Sequence, residues 1–180
     1  MIDPRSDRDA GGVDTGALLE RPSFPSFYRD TRDAVYRTVL LATRSVEHAE
    51  DAVQDAYTKA LGAWDEVAAH ANPTAWVARV ALNQATSWWR VRSRELPDPP
   101  DGVAAVDEHP IDDAILRIVW ALPRRQRQVV GLRILLDQST DQTARLLGLS
   151  QGTVKAHLHR ALNALRLELA AVGYKESTDA

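Results

Sequence analysis

Fifteen residues, Leu146-Leu147-Gly148-Leu149-Ser150-Gln151-Gly152-Thr153-Val154-Lys155-Ala156-His157-Leu158-His159-Arg160, carry the chain's clearest chemistry. Amides, hydroxyls, imidazoles and cations recur beside an apolar stripe, a pattern suited to hydrogen bonding with phosphates and base edges. Gly148 stands where a first helix must end in a left-handed residue, and Ser150 can cap the free amides of a second. Beyond Ser150, the residues Val154, Leu158, Ala161, Leu162, Leu165 and Leu169 recur at intervals of three and four, which defines the buried side. Gln151, Thr153, Lys155, Ala156, His157, His159, Arg160 and Arg166 lie off that stripe. The segment therefore predicts a helix-turn-helix with a basic outer face. It also fits an ordinary amphipathic helix with solvated charges. His157 and His159 are two apart, so they do not face each other on a helix and predict no metal site.

Two further clusters lie upstream. Glu47, Asp51 and Asp55 are spaced four apart with Glu50 and Gln54 beside them, so one exposed strip is anionic. Like charges at that spacing repel by about 0.2–0.5 kcal/mol per pair, which favours a basic protein partner. Dipole complementation by Glu47 and an ion pair from Asp55 to Lys59 are the competing local explanations. Trp76, Arg79, Asn83, Ser87, Arg90 and Arg94 fall on one side of a later helix, with Val77, Val80, Ala81 and Trp88 on another. Arginines beside an aromatic and an asparagine suit phosphates and unpaired bases, although Trp76 taken by itself fits a core position better.

These clusters need helices to hold them. Three are predicted in residues 23–94. The first runs from about Ser26 to Thr43 and buries Phe27, Val35, Tyr36, Val39 and Leu40. The second is capped by Ser45 and carries Ala49 through Trp64 at helical spacing. The third opens at Asn72-Pro73 and runs to about Arg94. Residues 95–113 hold four prolines and seven acids with no Lys or Arg, which makes them an extended acidic linker. Residues 114–173 form a second helical body. The tails 1–22 and 174–180 have little to bury. The expected fold is all-α: two small helical domains joined by an acidic proline-rich linker, the second with the helix-turn-helix.

The net charge of −3 looks wrong for a DNA binder until it is divided along the chain. Residues 114–173 carry 9 Lys/Arg against 3 Asp/Glu, whereas residues 23–94 carry 9 against 8. Local field governs approach to a polyanion, so the C-terminal body remains a credible nucleic-acid surface. The absence of cysteine excludes disulfides and thiolate zinc sites. No apolar run approaches a membrane span, and the N-terminus lacks the apolar core of a signal peptide, which predicts a soluble, cytoplasmic chain. No phosphate loop, thiol or metal-spaced cluster suggests an enzyme, and no cofactor is implied.

Taken together, the order of parts resembles the extracytoplasmic-function class of bacterial RNA polymerase sigma factors over roughly residues 24–170. Asp-Ala-Val-Gln-Asp-Ala-Tyr at 51–57 resembles the region 2 helix that docks on the clamp helices of the polymerase largest subunit. Ala-Trp-Val-Ala-Arg-Val-Ala-Leu-Asn at 75–83 resembles the start of the minus-10 recognition helix. The preceding loop, about Glu66–Asn72, sits where the family captures an unstacked non-template base. Leu-Pro-Arg-Arg-Gln-Arg at 122–127 and Gly152–Arg160 resemble region 4, whose recognition helix enters the major groove of the minus-35 element. Thr143 and Gln138 depart from the large aliphatic and the leucine common at those places, which predicts a thinner core contact at the turn.

The resemblance implies a promoter-specificity subunit with core RNA polymerase and promoter DNA as partners, an anti-sigma factor as restraint, and no small-molecule substrate. It assigns polymerase binding to Glu47, Glu50, Asp51, Gln54 and Asp55. It assigns the minus-10 element to Trp76, Arg79, Asn83, Ser87, Arg90 and Arg94, and the minus-35 element to Gln151, Thr153, Lys155, Ala156, His157, His159 and Arg160. A stand-alone regulator, whose first body senses a ligand or dimerises, is the alternative. It would bind duplex DNA specifically by itself.

Overall fold

A computed structural model describes residues 22–92, 113–171 and 173. Among them are eight α-helices and one π-helical turn: α1 (Phe24–Thr43), α2 (Val46–Gly62), α3 (Trp64–Ala68), α4 (Pro73–Arg92), α5 (Asp113–Trp120), α6 (Arg124–Val130), the π-turn (Gly131–Leu135), α7 (Thr140–Leu147) and α8 (Gln151–Ala171). The tails and residues 95–112 of the expected linker lie outside the described residues.

The helix starts follow from capping. Ser23 and Ser45 accept from the amides of Ser26 and His48 at 3.4 and 3.3 Å, and Asn72 Oδ1 accepts from Ala75 N at 2.9 Å. Each bond satisfies an orphan donor of a first turn. α1 ends at Arg44, which adopts a left-handed conformation with φ 58° and returns its N–H to Leu40 O.

Helices α1, α2 and α4 pack on one another around Phe27, Val35, Tyr36, Val39, Leu40, Ala52, Val53, Ala56, Tyr57, Val77 and Ala81, all buried. Leu61, at helical spacing with this set, is 57% exposed. Trp64 belongs to the short helix α3 and packs against Phe24 and Phe27 with ring centroids 5.3 and 4.9 Å apart. That helix was not foreseen, since five residues are too few to show a period.

The second body does not stand apart. α1 also packs against α5, α6 and the π-turn, and one continuous apolar cluster runs from Phe27 through Leu116, Trp120, Leu122, Val130 and Leu132 to Ala161. A smaller cluster of Val129, Ala144 and Val154 fixes the helix-turn-helix. On α8, Val154 and Ala161 are fully buried, whereas Leu158, Leu162, Leu165 and Leu169 are half-buried.

Candidate nucleic-acid interface

The turn between α7 and α8 is built from four local decisions. Ser139 and Gln142 form a reciprocal capping box at the start of α7, with Ser139 N donating to Gln142 Oε1 at 2.7 Å and Gln142 N to Ser139 Oγ at 3.1 Å. Gly148 takes φ 64° and returns its N–H to Ala144 O. Leu149 N also donates to Ala144 O at 2.9 Å. Ser150 Oγ then accepts from Thr153 N at 3.1 Å and opens α8. The expected glycine stop and serine cap are both present.

Not all seven residues assigned to the upstream contact are equally available. Lys155, Ala156, His159 and Arg160 are exposed. The Gln151 amide, although exposed, donates to Asp141 Oδ1 at 3.2 Å, and Asp141 also pairs with Arg145. The Thr153 hydroxyl lies 2.8 Å from Ser150 Oγ. His157 is half-buried, and its Nδ1 is buried without a hydrogen-bond partner. Thr143 is fully buried, its hydroxyl likewise unpartnered.

On α4, Arg79 and Asn83 are exposed and Trp76 is half-buried against the core, consistent with its mixed character. The side chains of Ser87 and Arg90, and all of Arg94, lie outside the described residues. Glu66 lies inside α3, so the loop ahead of α4 is shorter than expected. At its end Asn72 caps α4 with Oδ1 while Nδ2 donates to Gln138 Oε1 at 2.8 Å.

The acidic strip on α2 is exposed at Glu47, Glu50, Asp51 and Gln54. Asp55 is half-buried and holds Lys59 at 2.7 Å, so its charge is locally matched. Beside the strip a groove runs between α1 and α2, lined by Tyr28, Arg32, Tyr36, Glu50, Gln54 and Tyr57 among others. Burial pushes the Tyr57 hydroxyl up to about 12, against the opposing effect of its 2.7 Å hydrogen bond with Thr31. Burial, then the charge of Glu50, raises Tyr36. Arg124 is lowered by burial and by its neighbour Arg125. Sequence spacing missed this groove because its lining alternates between two helices.

Comparison with known proteins matches two stretches of the chain. Residues 27–95 match the Sigma-70 region 2 family model and residues 112–165 match Sigma-70, region 4. The chain is 39% identical over 159 residues to the RNA polymerase sigma-E factor of Streptomyces avermitilis, covering 86% of this chain and 87% of that protein. It is 31% identical over 175 residues to the ECF RNA polymerase sigma factor SigL of Mycobacterium tuberculosis, covering 89% and 97%. Its fold matches the sigma factor RpoE of Bartonella quintana, solved in complex with the anti-sigma factor NepR, with TM-score 0.69 and 25% identity over 82% of this chain and 96% of that one. It also matches the fold of CnrH, solved with the cytosolic domain of CnrY, with TM-score 0.54 and 22% identity over 82% and 88%.

The chain belongs to the sigma-70 family, in its extracytoplasmic-function class. It is a sigma factor that directs promoter-specific transcription initiation.

Proposed function

We propose that residues 23–94 hold core RNA polymerase and the melted minus-10 element while residues 114–173 read the minus-35 element as duplex. Glu47, Glu50 and Asp51 supply the polymerase contact, with Gln54 and Asp55 at its edge. Trp76, Arg79 and Asn83, continued by Ser87, Arg90 and Arg94, face the unpaired strand, where aromatic stacking contributes about 1–3 kcal/mol per base. Lys155 and Arg160 provide exposed donors of the upstream contact, and His159, which lies 3.4 Å from Asn163 Nδ2, joins them, with Gln151, Thr153, Ala156 and His157 completing the face. The linker 95–113 sets the reach between the two. The chain performs no catalysis of its own, acts in the cytoplasm where the polymerase is, and is restrained by an anti-sigma factor, as the complex of RpoE with NepR suggests.

The observation that carries this reading is the coexistence of a capped, basic α7–α8 unit and an exposed acidic strip at Glu47, Glu50 and Asp51 on α2 in one chain. Purified chain and core polymerase on a random promoter library test it. Selected start sites sharing two upstream motifs are expected. Specific duplex binding by the chain alone, unchanged by polymerase, would instead establish the stand-alone regulator.

A further inference from the structure

The starts of α7 and α8 are tied to each other across the turn. Asp141, in the first turn of α7, receives Gln151 Nε2 on Oδ1 at 3.2 Å, and its Oδ2 pairs with Arg145 one turn along the same helix. Gln151 is the first residue of α8 and is exposed. The tie holds little of the fold together. The Asp141 and Arg145 side chains are 48% and 71% exposed, and ion pairs so open contribute at most about 1 kcal/mol. Nor do the helix starts need it, because Ser139 and Ser150 already cap α7 and α8. Its consequence is the direction in which the Gln151 amide faces.

A primary amide has two chemically opposite ends, an acceptor oxygen and a donor NH2 group. A carboxylate engaged with an arginine only accepts, and the first turn of a helix favours its negative charge. Asp141 therefore takes the NH2 end of Gln151, and Oε1 is turned away from it. Nε2 keeps a second N–H. Oε1 together with that N–H is the acceptor–donor pair that matches N6–H and N7 of adenine in a major groove. Guanine and thymine present O6 or O4 to the same oxygen, acceptor against acceptor, and cytosine offers N4–H without an N7 beside it.

We infer that Asp141 is a positioning residue for promoter reading: it fixes Gln151 with its carbonyl outward, and the start of α8 thereby selects an adenine in the upstream element. The inference rests on the two-arm reading, in which the first residues of a recognition helix meet base edges. Asp141 touches no base and acts through Gln151. Arg145 serves the same end by matching the Asp141 charge, which would otherwise repel the phosphates flanking that base. Lys155, one turn further along α8, has only donors and cannot be re-aimed in this way, so the preference at its position is an internal reference.

Full-length chain with core polymerase, on promoters randomised across the upstream element, reads the inference as a base preference. Wild type should enrich adenine at one position of one strand by about fivefold or more. Gln151→Ala should erase that enrichment and leave the other positions as they were. Asp141→Ala should reduce the same enrichment by more than half, because the amide then turns either end to the groove, with total initiation and thermal unfolding little changed. Asp141→Lys supplies donors in place of an acceptor. It should hold Oε1, turn the NH2 group outward and shift that position to guanine or thymine. In a Gln151→Ala chain, Asp141→Ala should alter no preference, which separates positioning from a direct contact by residue 141. An adenine enrichment untouched by Gln151→Ala, Asp141→Ala or Asp141→Lys would overturn the positioning role, as would a loss spread evenly over all positions or an effect of residue 141 that persists without Gln151. A Gln151-dependent position that selects guanine or thymine in the wild type would overturn the outward carbonyl. Wild-type chain that initiates with no shared upstream motif would overturn the two-arm reading itself.

Discussion

The guanidinium of Arg127 crosses from α6 to the end of α1, where its Nε donates to Leu41 O at 2.8 Å while Nη1 donates to Leu122 O at 2.5 Å. One cation thus serves carbonyls of both bodies. Removing it leaves those acceptors buried without a donor, a loss larger than that of an average surface contact. Arg127→Ala should lower stability by about 2–4 kcal/mol. Urea unfolding followed by circular dichroism measures it; a change below 1 kcal/mol, on the order of an exposed arginine, would contradict the assignment.

Gly148 stands in open space at φ 64°, so replacing it adds backbone strain and no collision. Gly148→Ala should cost about 1–2 kcal/mol, and Ser139→Ala, which removes the capping box, about 1 kcal/mol. The sites are distinct enough that the double variant should lose nearly the sum in thermal unfolding.

The acidic strip predicts a graded response. Asp51→Lys with Glu47→Lys should weaken association with core polymerase by more than about tenfold, or ~1.4 kcal/mol, with helicity unchanged. Asp55→Asn should do less, because Asp55 is already matched by Lys59. Equal losses in a pull-down titration would show that the strip is not the contact.

On α8 the exposed Lys155 and the engaged Gln151 should separate. In the polymerase-bound state, Lys155→Ala should weaken upstream-element binding by about 1–3 kcal/mol if it meets a base, and should lower the salt slope if it meets only phosphate. Gln151→Ala should cost less, since its amide is shared between Asp141 and DNA. Footprinting across a salt series distinguishes these outcomes.

Tyr57 predicts an alkaline limit. Its folded-state pKa, about 12, lies above the unfolded value near 10. The folded state therefore holds the proton more tightly, and the resulting stability is present below pH 10 and is lost as pH rises towards 12. The loss is at most about 2–3 kcal/mol. Tyr57→Phe should flatten that decline in pH-dependent unfolding while forfeiting the bond to Thr31.

Much of this was legible in order and type. Ser45, Asn72, Gly148 and Ser150 announce helix ends because capping is local, and the stripe through Val154 and Ala161 announces a buried face because its period is local too. The unforeseen features depend on meetings distant in sequence. Leu158, inferred to be buried from spacing, is only half-covered, packed against the edge of the small cluster of Val129, Ala144 and Val154. Gln138 looked like a loss of core contact, whereas its amide joins Asn72, 66 residues away. The sharing of one apolar cluster between the two bodies is invisible to periodicity, which identifies an apolar face without naming what covers it.

Gly131 of the π-turn abuts Thr38 of α1, where an added Cβ would lie 2.9 Å from Thr38 Cγ2, and this fit ties the inheritance of the two halves together. A recombinant factor that takes its second half from another member of the family must still present a residue without a side chain opposite Thr38 and an amide acceptor opposite Asn72. Hybrids that do not will lose these contacts between the halves, whatever promoters they choose. Matching residues 38 with 131 and 72 with 138 is therefore a design rule for exchanging halves, separate from any rule for sequence preference.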